Sequence, residues 1–184
     1  MKSLCVYCGS KVGDGPSFVQ AAKIIGRDAA KRGYRIVYGG GKLGLMGATA
    51  AAARDEGGQV FGVIPEFLVE IEGVLEGVDH TIVKTMHERK MMMFDESDAI
   101  ITLPGGIGTL EEVIETLSWA RLSLHKKPII VLNLNDFWTP LQTLFHHIVD
   151  REFADRELLR EVTFISEPAA VIDAVEERLL ENRI

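Results

Sequence analysis

Two glycine-rich segments of this sequence carry the residue types that bind phosphate groups. Residues 39–44 read Gly-Gly-Gly-Lys-Leu-Gly, and residues 104–109 read Pro-Gly-Gly-Ile-Gly-Thr. Because glycine has no Cβ, it lets several backbone N–H groups converge on an anion at the N-terminus of a helix. The first segment also matches the dinucleotide pattern G-x-G-x-x-G, and a tight turn between a strand and a helix is its alternative interpretation.

Acidic residues follow the second glycine segment at a spacing that has two interpretations. Glu112 lies three residues after Thr109, which is the sequence of a capping box that only stabilises a helix. The other interpretation is that Glu112 faces a ligand held by the glycine segment. Its neighbour Glu111 points about 100° away around a helix, so only one of the two carboxylates can face that ligand.

Arg89 and Lys90 form a basic pair ahead of the second glycine segment. A pair of this kind usually lies on the solvated face of a helix. The loop before this helix and the glycine turn after it both fall near the expected ligand edge, so the pair also fits an anion clamp.

Short runs rich in valine and isoleucine alternate with helical patterns, which is typical of a parallel sheet covered on both faces. Strands are predicted at residues 4–7, 34–38, 59–64, 80–84, 99–103 and 127–132. Helices are predicted at residues 16–33, 46–56, 86–96, 109–122, 140–151 and 168–181. Residues 65–79 lose this periodicity and predict a mobile loop near the site.

These elements predict a single α/β domain over residues 1–184, with a Rossmann-like, doubly wound and mainly parallel sheet flanked by helices. Ligands of such folds bind beyond the carboxyl ends of the strands. Both glycine segments follow predicted strands, and so do Gly9 and Ser10 after the first strand. We therefore expect all three segments to line the same edge of the sheet.

Composition and charge exclude several classes of protein. The 184 residues include 27 acidic and 20 basic side chains, for a net charge of -7, and no basic cluster favours a nucleic-acid partner. The sequence shows no secretory leader and no stretch apolar enough for a membrane span, which predicts a cytoplasmic protein. Cys5 and Cys8 make no disulfide framework, and zinc requires more ligands than this pair, so we expect no metal.

Two longer motifs fall at the basic pair and at the second glycine segment. Residues 86–90 read Met-His-Glu-Arg-Lys, and residues 104–112 fit the pattern P-G-G-x-G-T-x-x-E. Together they resemble the LONELY GUY (LOG) family of cytokinin riboside 5'-monophosphate phosphoribohydrolases, whose companion motif is M-H-x-R-K. Residues 5–10, 39–47 and 62–65 also fit the family. The resemblance extends from residue 4 to about residue 135, and the paired motifs are far more specific than one glycine segment.

The resemblance implies a homodimer that cleaves the N-glycosidic bond of N6-modified adenosine monophosphates, and often of AMP, to give free base and ribose 5-phosphate. By position, the catalytic residues of the family fall on Arg89 and Glu112, and its acidic loop residue falls nearest to Glu72. The resemblance and the glycine segments together give the predicted substrate contacts Glu72, Lys90, Gly105, Gly106, Ile107, Gly108, Thr109, Leu110, Glu111, Ser118, Gly9, Ser10, Gly40, Gly41 and Met46.

The chemistry implied by the resemblance explains these residue types. Loss of the base leaves a ribosyl centre with oxocarbenium character, which a carboxylate such as Glu112 can stabilise, or it can deprotonate the attacking water. The backbone N–H groups of residues 105–109 would hold the 5'-phosphate, and Arg89 would orient Glu112 or the ribose and phosphate oxygens. The reaction requires no metal and no redox cofactor.

Other functions are left open by the residues themselves. A nucleotide-binding protein without catalysis, similar to molybdenum-cofactor carriers, would use the same glycine segments. An NAD-dependent oxidoreductase would depend on the first segment alone. Proteins with this motif have also been labelled lysine decarboxylases, but the sequence has no recognisable context for a Schiff-base lysine.

Overall fold

The computed structural model describes residues 1–182 and contains one parallel sheet of seven strands, in the order β4-β3-β2-β1-β5-β6-β7. The strands are β1 (Ser3–Tyr7), β2 (Arg35–Tyr38), β3 (Val60–Pro65), β4 (Asp79–Val83), β5 (Ala99–Thr102), β6 (Ile129–Leu132) and β7 (Val162–Ile165). The chain winds outwards from β1 to β4, returns to the other side of β1 with β5, and winds outwards again. The change of direction lies between β1 and β5, where doubly wound folds bind their ligands.

Within the described residues, eight α-helices connect and cover the strands. They are α1 (Pro16–Lys31), α2 (Gly44–Asp55), α3 (Glu66–Glu72), α4 (Met86–Asp95), α5 (Ile107–Arg121), α6 (Thr139–Asp150), α7 (Leu158–Glu161) and α8 (Val171–Glu181). In α1, the proline at its start suits the first helical position, and Phe18, Ala22, Ile25 and Ala29 form the buried face.

Two apolar clusters cover the two faces of the sheet. Helices α1, α2 and α8 pack on one face, where Ile25, Ala50 and Val175 are fully buried. Helices α4, α5 and α6 contribute Met93, Val113 and Phe145 to the cluster on the other face. Burial of this apolar surface on both sides is the main force that holds the sheet in place. The predicted doubly wound α/β fold is confirmed.

The structure corrects three predicted elements. The interval 65–79 is not loop throughout, because Glu66–Glu72 forms α3, which has no buried residue and therefore no core-facing periodicity to detect. β7 was not predicted; it is a four-residue strand at the edge of the sheet in which Val162 is buried and the other three residues are only partly buried. α5 begins at Ile107, two residues before the predicted start.

Within residues 1–182, every helix is too short or too polar to cross a membrane.

Candidate active site

A cavity of about 810 Å³ lies at the carboxyl edge of the sheet. It is lined by segments that follow four neighbouring strands, including Gly9 after β1, Gly39 after β2, Gly105 after β5 and Asn135 after β6. Its volume is within the range of about 300–1,000 Å³ that is usual for small-molecule sites. The three segments expected at one edge therefore do meet there.

The second glycine segment forms the floor of this cavity and the start of α5. Residues 104–109 all line the cavity, and Gly106 is the residue at the N-cap. A Cβ added to Gly106 or Gly108 would meet no atom within 4 Å. The first N–H groups of a helix have no acceptor within that helix, so this open start of α5 presents donors and a positive dipole end to an anion.

The position of Glu112 excludes the capping box. Because Gly106 is the N-cap, Thr109 lies in the first turn of α5 and cannot cap it, and Glu112 lies near the middle of the helix. Its side chain lines the cavity, although the residue is only 8% exposed. Burial raises the pKa of Glu112 from 4.5 to about 7, and the positive charges of Arg89 and Lys90 only partly oppose this rise.

Arg89 is buried beneath the cavity and does not lie on a solvated helix face. The residue is 7% exposed, its Nε donates to the carbonyl of Val63 at 3.2 Å, and its Nη2 donates to the carbonyl of Gly39 at 2.9 Å. No carboxylate within residues 1–182 lies close enough to form an ion pair with it. Arg89 therefore holds a fixed positive charge in the cavity, near Glu112 but not joined to it.

The first glycine segment packs against the rest of the protein. Gly40 has a φ of +81°, and a Cβ there would lie 2.7 Å from the Cβ of Ile64. The first N–H groups of α2 are also used, because Leu45 and Met46 both donate to the carbonyl of Gly9, at 3.0 and 3.4 Å. These contacts favour the tight-turn interpretation over a phosphate loop. Gly40 and Gly41 lie outside the cavity lining, whereas Gly39 and Met46 belong to it.

The remaining predicted contacts are divided between the cavity and the surface of α5. Ser10, Glu72 and Glu111 line the cavity together with Gly9, whereas Lys90, Leu110 and Ser118 do not. Lys90 instead pairs with Glu111 at 2.5 Å and with Glu115 at 3.0 Å. Burial opposes the charged form of Lys90, but the hydrogen bonds that its Nζ donates to these two carboxylates, together with their negative charges, outweigh burial and raise the pKa of Lys90.

Glu72 ends α3 and reaches the cavity from the side of the first glycine segment. Its Oε2 is buried and has no hydrogen-bond partner in the part of the chain that the structure describes. A Cβ on Gly41 would lie 2.7 Å from that oxygen, so only glycine leaves room for the carboxylate at this point. This oxygen is therefore a buried acceptor without a donor within residues 1–182, and a ligand would reach it only if the side chain moved.

Sequence reasoning missed the apolar wall of the cavity. Phe18 of α1 and Phe137 pack edge to face, with ring centroids 5.9 Å apart, and Val12 and Met86 add to the lining. Asn135, at a φ of 52°, precedes this wall and donates to Ser17 Oγ at 3.1 Å. These residues come from separate parts of the chain and form no motif. The one usable sequence signal is that Asn135 follows a predicted strand, because ligands of doubly wound folds bind beyond the strand ends.

Cys5 in β1 and Cys8 just after it are both buried thiols. Burial raises the pKa of Cys5 and of Cys8 above the ordinary value, so neither is poised as a thiolate. Cys8 lies at the cavity, whereas Cys5 lies in the core. Across residues 1–182, no three His, Cys, Asp or Glu side chains are grouped so that they could hold a metal ion.

Comparison with known proteins assigns the chain to a family. The family model described as "Possible lysine decarboxylase" matches residues 46–175. The chain is 45% identical over 148 residues to the cytokinin riboside 5'-monophosphate phosphoribohydrolase of Rhodococcoides fascians, with 79% of this chain and 75% of the relative covered. It is 42% identical over 170 residues to the enzyme LOG of Oryza sativa subsp. japonica, with 92% and 69% covered. The chain belongs to the LOG family, as its motifs predicted.

Solved structures support the same fold. The molybdenum cofactor carrier protein of Chlamydomonas reinhardtii matches with a TM-score of 0.76 and 22% identity, with 97% of this chain and 98% of that chain covered. The molybdenum cofactor binding protein of Rippkaea orientalis matches with a TM-score of 0.75 and 22% identity, covering 96% and 97%. At this identity the likeness concerns the fold alone.

Proposed function

We propose that this protein hydrolyses the N-glycosidic bond of N6-modified adenosine 5'-monophosphates, or of AMP, and releases the free base and ribose 5-phosphate. The observation that carries the proposal is the Glu112 carboxylate, which lines the cavity with its pKa raised to about 7 by burial. It lies on the same helix whose open N-terminus can bind a phosphate. The names of relatives that are 42–45% identical describe this activity.

Phosphate binding at the start of α5 aligns the substrate. The N–H groups of residues 107–109 hold the 5'-phosphate, and the two open glycines let its oxygens approach the backbone. This contact is remote from the bond that breaks, so its binding energy serves to position the ribose next to Glu112.

Glu112 then acts on the ribosyl centre. A carboxylate with a pKa of about 7 is partly ionised at neutral pH and partly protonated, which suits proton transfer with water. As the base leaves, the ionised form stabilises the oxocarbenium character at the ribose or removes the proton of the attacking water. Arg89 is anchored by two backbone carbonyls, and its fixed charge orients ribose or phosphate oxygens and favours the ionised form of Glu112.

The test is to incubate the purified protein with AMP and with N6-isopentenyl-AMP and to measure release of the base by chromatography. We expect release from at least one substrate, with ribose 5-phosphate formed in equal amount. A protein that binds both nucleotides but releases no base is instead the non-catalytic carrier. Hydride transfer with NAD would show that the dinucleotide interpretation of the first glycine segment is correct.

We also propose that the protein is a homodimer and that it is located in the cytoplasm. The outer face of α5 carries Ile114, Glu115 and Ser118 at helical spacing, next to the cavity-lining Glu111, and Ile114 is 38% exposed. Ser118 fits the family contact pattern but lies outside the cavity of its own chain, so a second copy is needed for it to approach a ligand. Light scattering should give twice the chain mass for the wild type and a smaller mass for Ile114→Lys; a monomeric wild type would overturn the dimer.

A further inference from the structure

A second cavity, of about 460 Å³, lies beside the edge strand β7. Its nine lining residues come from α6, α7, β7 and α8, and none of them lines the candidate active site. They are Gln142, Phe145, His146, Leu159, Arg160, Val162, Thr163, Phe164 and Arg178. β6 separates β7 from β5 in the sheet, so the two cavities occupy different places on the molecule.

The polar side chains of this second cavity are suited to an anion. The lining includes two guanidinium groups, one imidazole, one hydroxyl and one amide, but no aspartate or glutamate. The whole chain has 27 acidic and 20 basic residues, so a lining with basic and no acidic side chains runs against the overall charge. Arginine binds phosphate through a planar fork of donors.

Arg178 is held in place in a way that leaves donors available. Its Nη2 donates to the carbonyl of Arg160 at 2.8 Å, and its Nη1 pairs with Glu181 at 3.3 Å. A guanidinium has five N–H donors, so these two contacts leave others unused; Nε is buried without an acceptor within residues 1–182, and a ligand would therefore be met by the remaining N–H groups of Nη1 and Nη2. The side chain of Arg160 makes no ion pair in the same part of the chain, and its charge is therefore uncompensated.

The cavity also has an apolar wall. Leu159 and Phe164 are partly exposed at this wall, and they are backed by the buried side chains of Phe145 and Val162; the rings of Phe145 and Phe164 have centroids 6.4 Å apart. A bare inorganic anion would leave Leu159 and Phe164 in contact with water. A ligand with an aromatic or apolar body would cover them and gain the free energy of removing apolar surface from water.

We propose that this cavity binds a small phosphate monoester with an apolar or aromatic body, with the phosphate between Arg160 and Arg178 and the body against Leu159 and Phe164. The site is separate from the candidate active site, so it does not depend on the proposed hydrolysis.

The test is a titration of the isotope-labelled protein with phenyl phosphate, followed by NMR at the backbone amides. Saturable shifts are expected at Thr163 and Phe164, and separately resolved amides of residues 105–109 report any binding at the active site. Arg160→Gln should weaken the binding at β7 by about tenfold or more, because it removes a charge-assisted contact. Arg156→Gln, an exposed arginine on the same segment that does not line the cavity, is the matched control and should bind like the wild type.

Three results would overturn the proposal. The first is the absence of saturable shifts at Thr163 and Phe164. The second is an unchanged affinity in Arg160→Gln. The third is that sodium chloride at equal ionic strength reproduces the shifts. Inorganic phosphate and phenol are titrated separately in the same way. Phenyl phosphate must bind more tightly than either, because the site recognises both the anion and the apolar body.

Discussion

The two glycine-rich segments have similar compositions, but the structure uses them in opposite ways. In residues 39–44, the glycines give space to the protein itself: Gly40 takes a left-handed conformation against Ile64, and Gly44, also at positive φ, packs against the backbone of Ser10. In residues 104–109, Gly106 and Gly108 face open space. The first segment shapes the wall of the cavity, and the second leaves room for something to enter it.

This contrast teaches that a glycine pattern does not by itself identify a phosphate site. The deciding observation is whether the helix N–H groups that follow the glycines are already used. Those of α2 donate to the carbonyl of Gly9, whereas those at the start of α5 line the cavity. The better-known dinucleotide pattern therefore belongs to the structural segment, and the second segment is the one whose free N–H groups fit the proposed anion site.

The largest expected effect on activity comes from changing Glu112, in the second turn of α5. Glu112→Gln keeps the size of the side chain and removes its charge, so we expect base release to fall by at least about 100-fold while the far-ultraviolet circular dichroism is unchanged. Glu115→Gln is the matched control on the same helix: it removes one carboxylate of a partly buried ion pair outside the cavity and should change kcat/KM by no more than about fivefold. Near wild-type turnover in Glu112→Gln would remove Glu112 from the mechanism.

The second expected effect is at Arg89, which donates a hydrogen bond to Gly39 of the first glycine segment and whose charge acts on Glu112. Arg89→Ala should be as inactive as Glu112→Gln, because it leaves the carbonyls of Val63 and Gly39 without their donor and removes a fixed positive charge. It should also raise the pKa of Glu112 further, since the charge of Arg89 lowers that pKa. The measurement is the pH profile of the residual kcat/KM, which should move to higher pH; an active variant with an unmoved profile would show that Arg89 acts only in packing.

The third effect is on stability and follows from the burial of Glu112. Its pKa is raised from 4.5 to about 7, so between these pH values the folded protein keeps a proton that the unfolded chain releases. The free energy of unfolding should therefore fall as pH rises through this window, by about 3 kcal/mol relative to Glu112→Gln. Urea unfolding of both proteins at several pH values measures the difference. Parallel pH dependences in the two proteins would mean that Glu112 is not buried as described.

The smallest effects compare the two segments directly. Gly40→Ala places a Cβ against Ile64 at a positive φ and should cost about 1–3 kcal/mol of unfolding free energy. Gly106→Ala meets no atom within 4 Å and should change stability by no more than about 0.5 kcal/mol, while raising KM because the methyl group points to where a ligand would lie. Thermal unfolding and steady-state kinetics of the two variants test this. Equal losses of stability in Gly40→Ala and Gly106→Ala would contradict the proposed difference between the two glycine segments.

Much of the fold could be predicted from the sequence because its signals are local. The buried strands such as Ile129–Leu132 are continuous apolar runs, and α1 has a proline start and a regular apolar face. The failures have a related physical cause: α3 buries no residue and β7 fully buries only one of its four, so neither shows the pattern that a core would impose. The single-domain prediction stays a prediction.

The site was only partly predictable for a related reason. Motifs identified Arg89 and Glu112, but their burial depends on which residues fold over them, and this is not encoded near them in the chain. The basic pair illustrates the limit: Arg89 points into the protein and Lys90, the next residue, pairs with Glu111 and Glu115. The roles assigned to these residues remain for the kinetic tests.

The position of Gly9 has a consequence for the cost of ligand binding. Its N–H donates to the carbonyl of Pro104 at 3.1 Å, while its own carbonyl accepts from the start of α2, so one residue joins both glycine segments. A Cβ at this position would lie 3.2 Å from the Cα of Gly105, which keeps the junction close. The walls are thus fixed relative to each other before a nucleotide arrives. Most of the conformational entropy of ordering them is lost when the chain folds, so little of a ligand's affinity has to offset it.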